Sequence, residues 1–84
     1  MIYVTAVDTE PPHILLVTFE DGTRRRVDMT PVIFGYPDGS VFEPLKDPEF
    51  FALAYVDEDF GTVCWPGNVD IAPEYLYEHG ELLP

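Results

Sequence analysis

His13-Ile14-Leu15-Leu16-Val17-Thr18-Phe19-Glu20, then Asp21-Gly22, then Thr23-Arg24-Arg25-Arg26-Val27-Asp28: this stretch decides the class of the fold. The first segment is nearly all apolar or β-branched, the composition of a strand that lies centrally with both faces at least partly covered. Asp-Gly between two β-forming runs predicts a hairpin with a two-residue type I′ turn, which needs positive φ at both positions. The returning segment is polar enough to sit nearer an edge.

Working outward, Ile2 to Val7 reads as a first strand, broken by Asp8-Thr9-Glu10-Pro11-Pro12 because proline removes ladder donors. On the other side, Thr30-Pro31 starts one helical turn, with the hydroxyl as cap; Val32, Ile33 and Phe34 fill it and Gly35 ends it. Pro37-Asp38-Gly39 is a turn, and Val41-Phe42 is read as a short extended piece. Asp47-Pro48-Glu49 is the clearest helix start, with a capping carboxylate, a first-turn proline and a second acid at the positive dipole end. Phe50 and Ala54 then share a face. Tyr55-Val56-Asp57 and Thr62-Val63-Cys64-Trp65 are strands joined by the turn Glu58-Asp59-Phe60-Gly61. Pro66-Gly67-Asn68 stops the second of them, and Pro73 to Tyr77 forms a helical turn that Gly80 ends. Strands and helices do not alternate regularly, so the expected fold is α+β: a small, largely antiparallel sheet of about five strands, one short helix and a C-terminal helical turn. The 84 residues suffice for a single domain, residues 1–84.

Charge is the strongest compositional signal. Sixteen acidic residues against four basic ones give a formal net charge of −12. Such a surface repels phosphate backbones, so no nucleic-acid binding by this domain alone is expected. It steers the protein instead toward a basic protein partner, at a rate that falls as salt rises. The N-terminal residues alternate like a strand and lack the basic start and apolar run of a signal peptide. No apolar run is long enough for a bilayer, and the single cysteine, Cys64, permits no intrachain disulfide. A cytoplasmic protein without membrane contact is the expectation.

Chemistry is hard to find. His13 and His79 lie in no recognisable motif with Ser40 or Cys64, and Cys64 reads as a small buried hydrophobe beside Trp65. Asp57-Glu58-Asp59 concentrates three acids without the spaced ligands of a calcium loop. The glycines form no phosphate-binding loop. No catalytic residue, cofactor or metal is therefore assigned. Arg24-Arg25-Arg26 is the only basic cluster, but in a strand Arg25 points opposite to the other two, so salt bridges to nearby acids are expected rather than one patch.

The segment Trp65 to Tyr77 is denser in information. Its indole, two tyrosines and two prolines are what a binding hot spot uses, and equally what a small domain uses to pin its last segment to the core. In the structural reading Asp70 accepts backbone N–H bonds in the loop or near the helix start. The candidate interaction residues are thus Trp65, Asp70, Tyr75 and Tyr77, together with Asp57, Glu58 and Asp59.

Phe19-x-Asp21-Gly22, Val27-Asp28, Phe42-x-Pro44-Leu45 with Asp47 and Phe50, Gly61-Thr62-Val63-x-Trp65-Pro66, Asp70 and Pro73-x-Tyr75-Leu76-Tyr77 carry a resemblance. Over nearly the whole chain the sequence resembles the bacterial family called domain of unknown function 2442. Relatives often read Asn-Gly after Trp-Pro where this chain has Gly67-Asn68, which implies a different turn. Some carry a helix-turn-helix domain afterwards, which is not found before Pro84, so DNA binding is not carried over. The resemblance implies a small α+β fold, no known catalytic activity, and a place in a two-protein module as the antitoxin-like member. Two functions follow as expectations: a non-catalytic protein–protein interaction module, or a small-ligand binder or weak enzyme using clustered carboxylates. Homo-oligomerisation through an exposed strand edge is left open.

Overall fold

The central strand is where the apolar run places it. In the computed structural model, which describes residues 2–84, β1 (Val4–Glu10), β2 (Ile14–Phe19) and β3 (Arg24–Asp28) form an antiparallel meander. Leu15, Val17 and Phe19 of β2 are fully buried, and Leu16 and Thr18 on its other face are half-buried. A two-residue strand, β7 (Glu81–Leu82), adds to β3 and closes the order β1-β2-β3-β7. A second antiparallel sheet holds β4 (Tyr55–Asp57), β5 (Thr62–Trp65) and β6 (Val69–Ile71) in that order. Helices α1 (Thr30–Gly35), α2 (Pro48–Phe51) and α3 (Pro73–His79), with a 3-10 turn at Glu43–Lys46, supply the connections. The fold is α+β, as expected, but its strands divide between two small sheets.

Several local expectations are corrected. The first strand begins at Val4 and runs through Asp8, Thr9 and Glu10, because pairing with β2 as far as Ile14 outweighs the weak strand preference of the acids. The first hairpin does not turn as type I′. Gly22 alone has positive φ, at +85°, Gly22 N–H donates to Phe19 C=O, and Phe19 N–H donates to Thr23 C=O. That is a three-residue loop with glycine in the left-handed position, held by Asp21 Oδ1, which accepts from the Thr23 amide and hydroxyl. Thr30 does not cap α1; Asp28 Oδ1 accepts the Thr30 N–H instead, so the carboxylate does the work assigned to the hydroxyl. Val41 and Phe42 lie in a turn leading into the 3-10 segment, with Phe42 N–H bound by Ser40 Oγ. Strands β6 and β7 were not foreseen.

Asp47 caps α2 as the sequence indicates, accepting the Glu49 N–H at 3.0 Å. The arginine triplet splits as strand alternation requires. Arg26 Nε approaches Glu10 at 3.6 Å, whereas Arg25 lies over the Tyr77 ring at 3.9 Å and makes a cation–π contact in place of a salt bridge.

One apolar cluster joins both sheets, drawing Val4, Leu15, Val17 and Phe19 from the first and Val63, Trp65, Val69 and Ile71 from the second. A main-chain bond from Val4 N–H to Gly61 C=O bridges them directly. Helix α3 lies against β3 with little room. A Cβ on Gly80 would meet Leu76 O at 2.7 Å, Arg25 Cβ at 2.8 Å and Val27 Cγ2 at 3.1 Å. Gly80 has φ −80°, so it is required for this close approach and not for a left-handed cap. Among the described residues, no helix is long and apolar enough to cross a membrane.

Gly80→Ala should therefore cost about 1–3 kcal/mol through overpacking. Gly35→Ala, with nothing within 4 Å of its Cβ, should change stability by less than about 0.5 kcal/mol. Urea unfolding midpoints of the two variants test this, and equal midpoints would contradict the tight α3–β3 packing.

Candidate interaction site

Period-two alternation sorts the second sheet into two faces. Val63, Trp65, Val69 and Ile71 point into the core, so Tyr55 and Asp57 of β4, Thr62 and Cys64 of β5 and Asp70 of β6 share the outer face. In register, Cys64 stands between Tyr55 and Asp70. Those flanking side chains leave Cys64 only 8% exposed, which agrees with its reading as a small buried hydrophobe. Its Sγ lies 3.4 Å from Thr62 Oγ1.

An open groove of about 420 Å³ runs over this face, lined by Tyr55, Asp57, Phe60, Cys64, Asn68 and Asp70 among others. Phe60, at the tip of the β4–β5 hairpin, is 69% exposed, and Tyr55 is 48% exposed. Asn68 and Gly67 both take positive φ, at +65° and +91°, so the Pro66-Gly67-Asn68 loop delivers the chain from β5 into β6 and does not merely stop it. On the far side of the hairpin, Glu58 and Asp59 line a second groove of about 380 Å³ with Tyr3, Val4 and Gly61. Tyr3 packs on Gly61 so closely that a Cβ there would come within 2.6 Å of its ring.

The sequence candidates separate on this geometry. Asp57 and Asp70 come together on one groove, and Glu58 and Asp59 sit around the hairpin tip. Trp65 does not belong with them. It is fully buried and its indole N–H donates to the Phe51 carbonyl at 2.8 Å, so it anchors α2 to β5 and offers no surface to a partner. Tyr77 is also committed to the fold: its hydroxyl donates to Asp21 Oδ2 at 2.8 Å, and its ring meets Phe19 edge-on and lies beneath Arg25. Tyr75 remains half-buried, stacked on His79 at 4.1 Å and facing a third groove. Asp70 accepts no backbone N–H among the described residues, contrary to expectation, because it points outward from the middle of β6.

Tyr55 and Phe60 were missed as surface residues. The signal was present: alternation around inward Val56 places Tyr55 outside, and an aromatic in a hairpin turn has no strand position to bury it.

Three carboxyl groups have pKa values below the ordinary range, each for a local reason. For Asp21 the cause is hydrogen bonding from the Thr23 hydroxyl, then the Thr23 amide and Tyr77. For Asp28 it is the Thr30 amide, and for Asp38 the Lys46 ammonium at 2.7 Å. All three lock turns and stand apart from the Asp57–Asp70 groove. Among the described residues, no three His, Cys, Asp or Glu side chains converge as metal ligands.

Residues 4–81 match the model of the family described as Protein of unknown function (DUF2442). The chain belongs to that family. This DUF2442 chain is also similar to the crystal structure named "Putative DNA Binding Protein NE0471" from Nitrosomonas europaea, at 28% identity and a TM-score of 0.78. The similarity covers 94% of this chain and 48% of the other, so the DUF2442 chain spans about half the length of that protein. No curated protein matches it. The residues that carry the family resemblance are largely those that hold the fold: Asp21 with Tyr77, Gly61 under Tyr3, and Trp65 on Phe51.

Trp65→Ala should destabilise the domain by about 3–5 kcal/mol, enough to leave it largely unfolded at this size. Trp65→Phe should fold but lose about 1–3 kcal/mol through the lost indole hydrogen bond and the smaller ring, Phe51 C=O keeping its bond from Ala54 N–H. Chemical denaturation followed by circular dichroism tests both, and a wild-type-like Trp65→Ala would refute the anchoring role.

The depressed Asp28 pKa gives a pH signature. Ionised Asp28 stabilises the native state above its unfolded pKa, near 4, and that contribution disappears as pH falls through the lower folded value. The melting-temperature deficit of Asp28→Ala should accordingly be full at pH 6 and shrink toward pH 2.5. A deficit independent of pH would show that the carboxylate charge is not what holds the start of α1.

Proposed function

We propose that this DUF2442 domain is a non-catalytic protein–protein interaction module that takes a basic partner on the outer face of the β4–β5–β6 sheet. The observation that carries the reading is the grouping of Asp57 and Asp70 with exposed Tyr55 and Phe60 around one open groove. Aromatic rings beside carboxylates suit lysine and arginine: the carboxylates attract the charge, and the rings take the aliphatic stems or the guanidinium face. The −12 net charge adds long-range attraction for such a partner.

DNA binding, which stands in the neighbour's name, forms no part of the proposal for this chain. Four basic residues against sixteen acids do not suit a phosphate backbone, and Arg25 and Arg26 are already engaged with Tyr77 and Glu10. A small basic protein fits this surface, with this chain as the acidic antitoxin-like half of a two-protein module, and a reducing cytoplasm fits the lone buried Cys64.

Tagged wild-type protein and an Asp57→Lys/Asp70→Lys variant, incubated with lysate of the source organism, should differ. Wild type should recover a basic protein at low salt and lose it at high salt; the variant, folded by circular dichroism, should not recover it. Equal recovery by both, or recovery insensitive to salt, would reject this face as the contact surface.

A further inference from the structure

We propose that the partner engages this domain by adding an extended basic segment to the outer edge of β6 as a fourth strand of the small sheet. This deepens the interaction-module reading above and depends on it. β6 ends the order β4-β5-β6, and among the described residues the backbone of Val69, Asp70 and Ile71 makes no hydrogen bond beyond the ladder to β5. An open edge of this kind is a template for another strand. β6 is only three residues with one charge, Asp70, so the segment it can add is short and opposite in charge; the other usual protections are proline, lysine, a bulge or a covering loop. Val69-Asp70-Ile71 carries neither proline nor lysine, and the edge opens onto a groove in place of a cover.

That groove is about 440 Å³ and runs beside β6 between Val32, Tyr36 and Phe42 on one wall and Ile71 and Tyr75 on the other. Tyr36 and Phe42 lean together with ring centroids 5.2 Å apart, and Tyr36 is 51% exposed. Asp70 lines both this groove and the one over the outer face, so it stands on the ridge between them.

The charge on that ridge selects the occupant. A second copy of this chain pairing β6 with β6 about the middle residue would set Asp70 against Asp70 and join two chains of net charge −12. Like charges directly opposite in a ladder are unfavourable, and so is the overall repulsion. A basic extended segment meets neither obstacle. Its backbone would complete the ladder over roughly 10 Å, a lysine or arginine would meet Asp70, and alternate apolar side chains would enter the aromatic groove.

The test is a titration of the ¹⁵N-labelled full chain with the blocked peptide Lys-Val-Lys-Val-Lys-Val-Lys, a copy methylated at alternate backbone nitrogens, and a copy with Glu in place of Lys. The unmodified peptide should shift the amides of Val69, Asp70, Ile71, Tyr36 and Tyr75, and neither altered copy should. Asp70→Lys should weaken binding about tenfold, the worth of one charge-assisted contact. If the methylated copy binds equally, with shifts at Tyr55 and Phe60, edge pairing is wrong while the acidic face stands. Absence of shifts with every peptide would overturn both readings. Shifts at β6 that grow with protein concentration alone would replace the basic segment by a second copy.

Discussion

The buried hydrogen bond from the Trp65 indole to the Phe51 carbonyl is the constraint on which the rest of this small structure depends. A domain of this length has little core to spare, and its largest fully buried side chain occupies the junction of the second sheet and α2. Burying an indole N–H without a partner would be costly, so the end of α2 must present a carbonyl at this point, and Phe51 C=O accepts the indole beside a longer bond, 3.3 Å, from Ala54 N–H. The proline start and Asp47 cap of α2 fix where that helix begins, and hence where it ends. With Trp65 held inward, alternation directs Cys64 and its neighbours outward. The accessible face of the small sheet is thus a consequence of how the core is anchored.

The acids divide by role in the same way. Asp21, Asp28, Asp38 and Asp47 are engaged in turns, caps or an ion pair. Asp57 combines the two roles, with one carboxylate oxygen accepting the Asp59 amide while the side chain lines the outer groove. Asp70 alone among these has no such engagement, although it sits at the middle of a strand. A surplus of negative charge that looks uniform in composition is therefore differentiated in space, and Asp57 and Asp70 are the part of it that lies beside exposed Tyr55 and Phe60.

Much of the fold could be read from local chemistry. The apolar run of β2, the Asp47 cap and the β4–β5 hairpin each rest on residues whose preferences act at short range. What escaped reading needed pairing that local preference does not show. β6 follows Pro66-Gly67-Asn68, which reads as a stop although its left-handed residues fold the chain back onto β5; β7 is two residues and exists only because β3, distant in sequence, offers an edge. The candidate site was half legible for the same reason. Asp57 and Asp70 could be named, but their convergence needed the register of three strands, and Trp65 and Tyr77 carry the aromatic signature of a contact surface while serving the interior. Aromatic composition does not distinguish a residue that binds a partner from one that binds its own fold.

The bond between Asp21 and Tyr77 spans 56 positions of sequence, and Arg25 and Gly80 meet across a similar interval. β3 gains its outer neighbour only from residues 81 and 82, with Leu83 N–H donating to Arg24 C=O. On the ribosome, then, the first hairpin emerges long before the elements that cover it. Until residues 77–83 have left the exit tunnel, the meander carries an unpaired edge and an apolar face. The native arrangement is completed after synthesis of these residues and not progressively during it, so the nascent chain passes through a vulnerable interval set by topology alone.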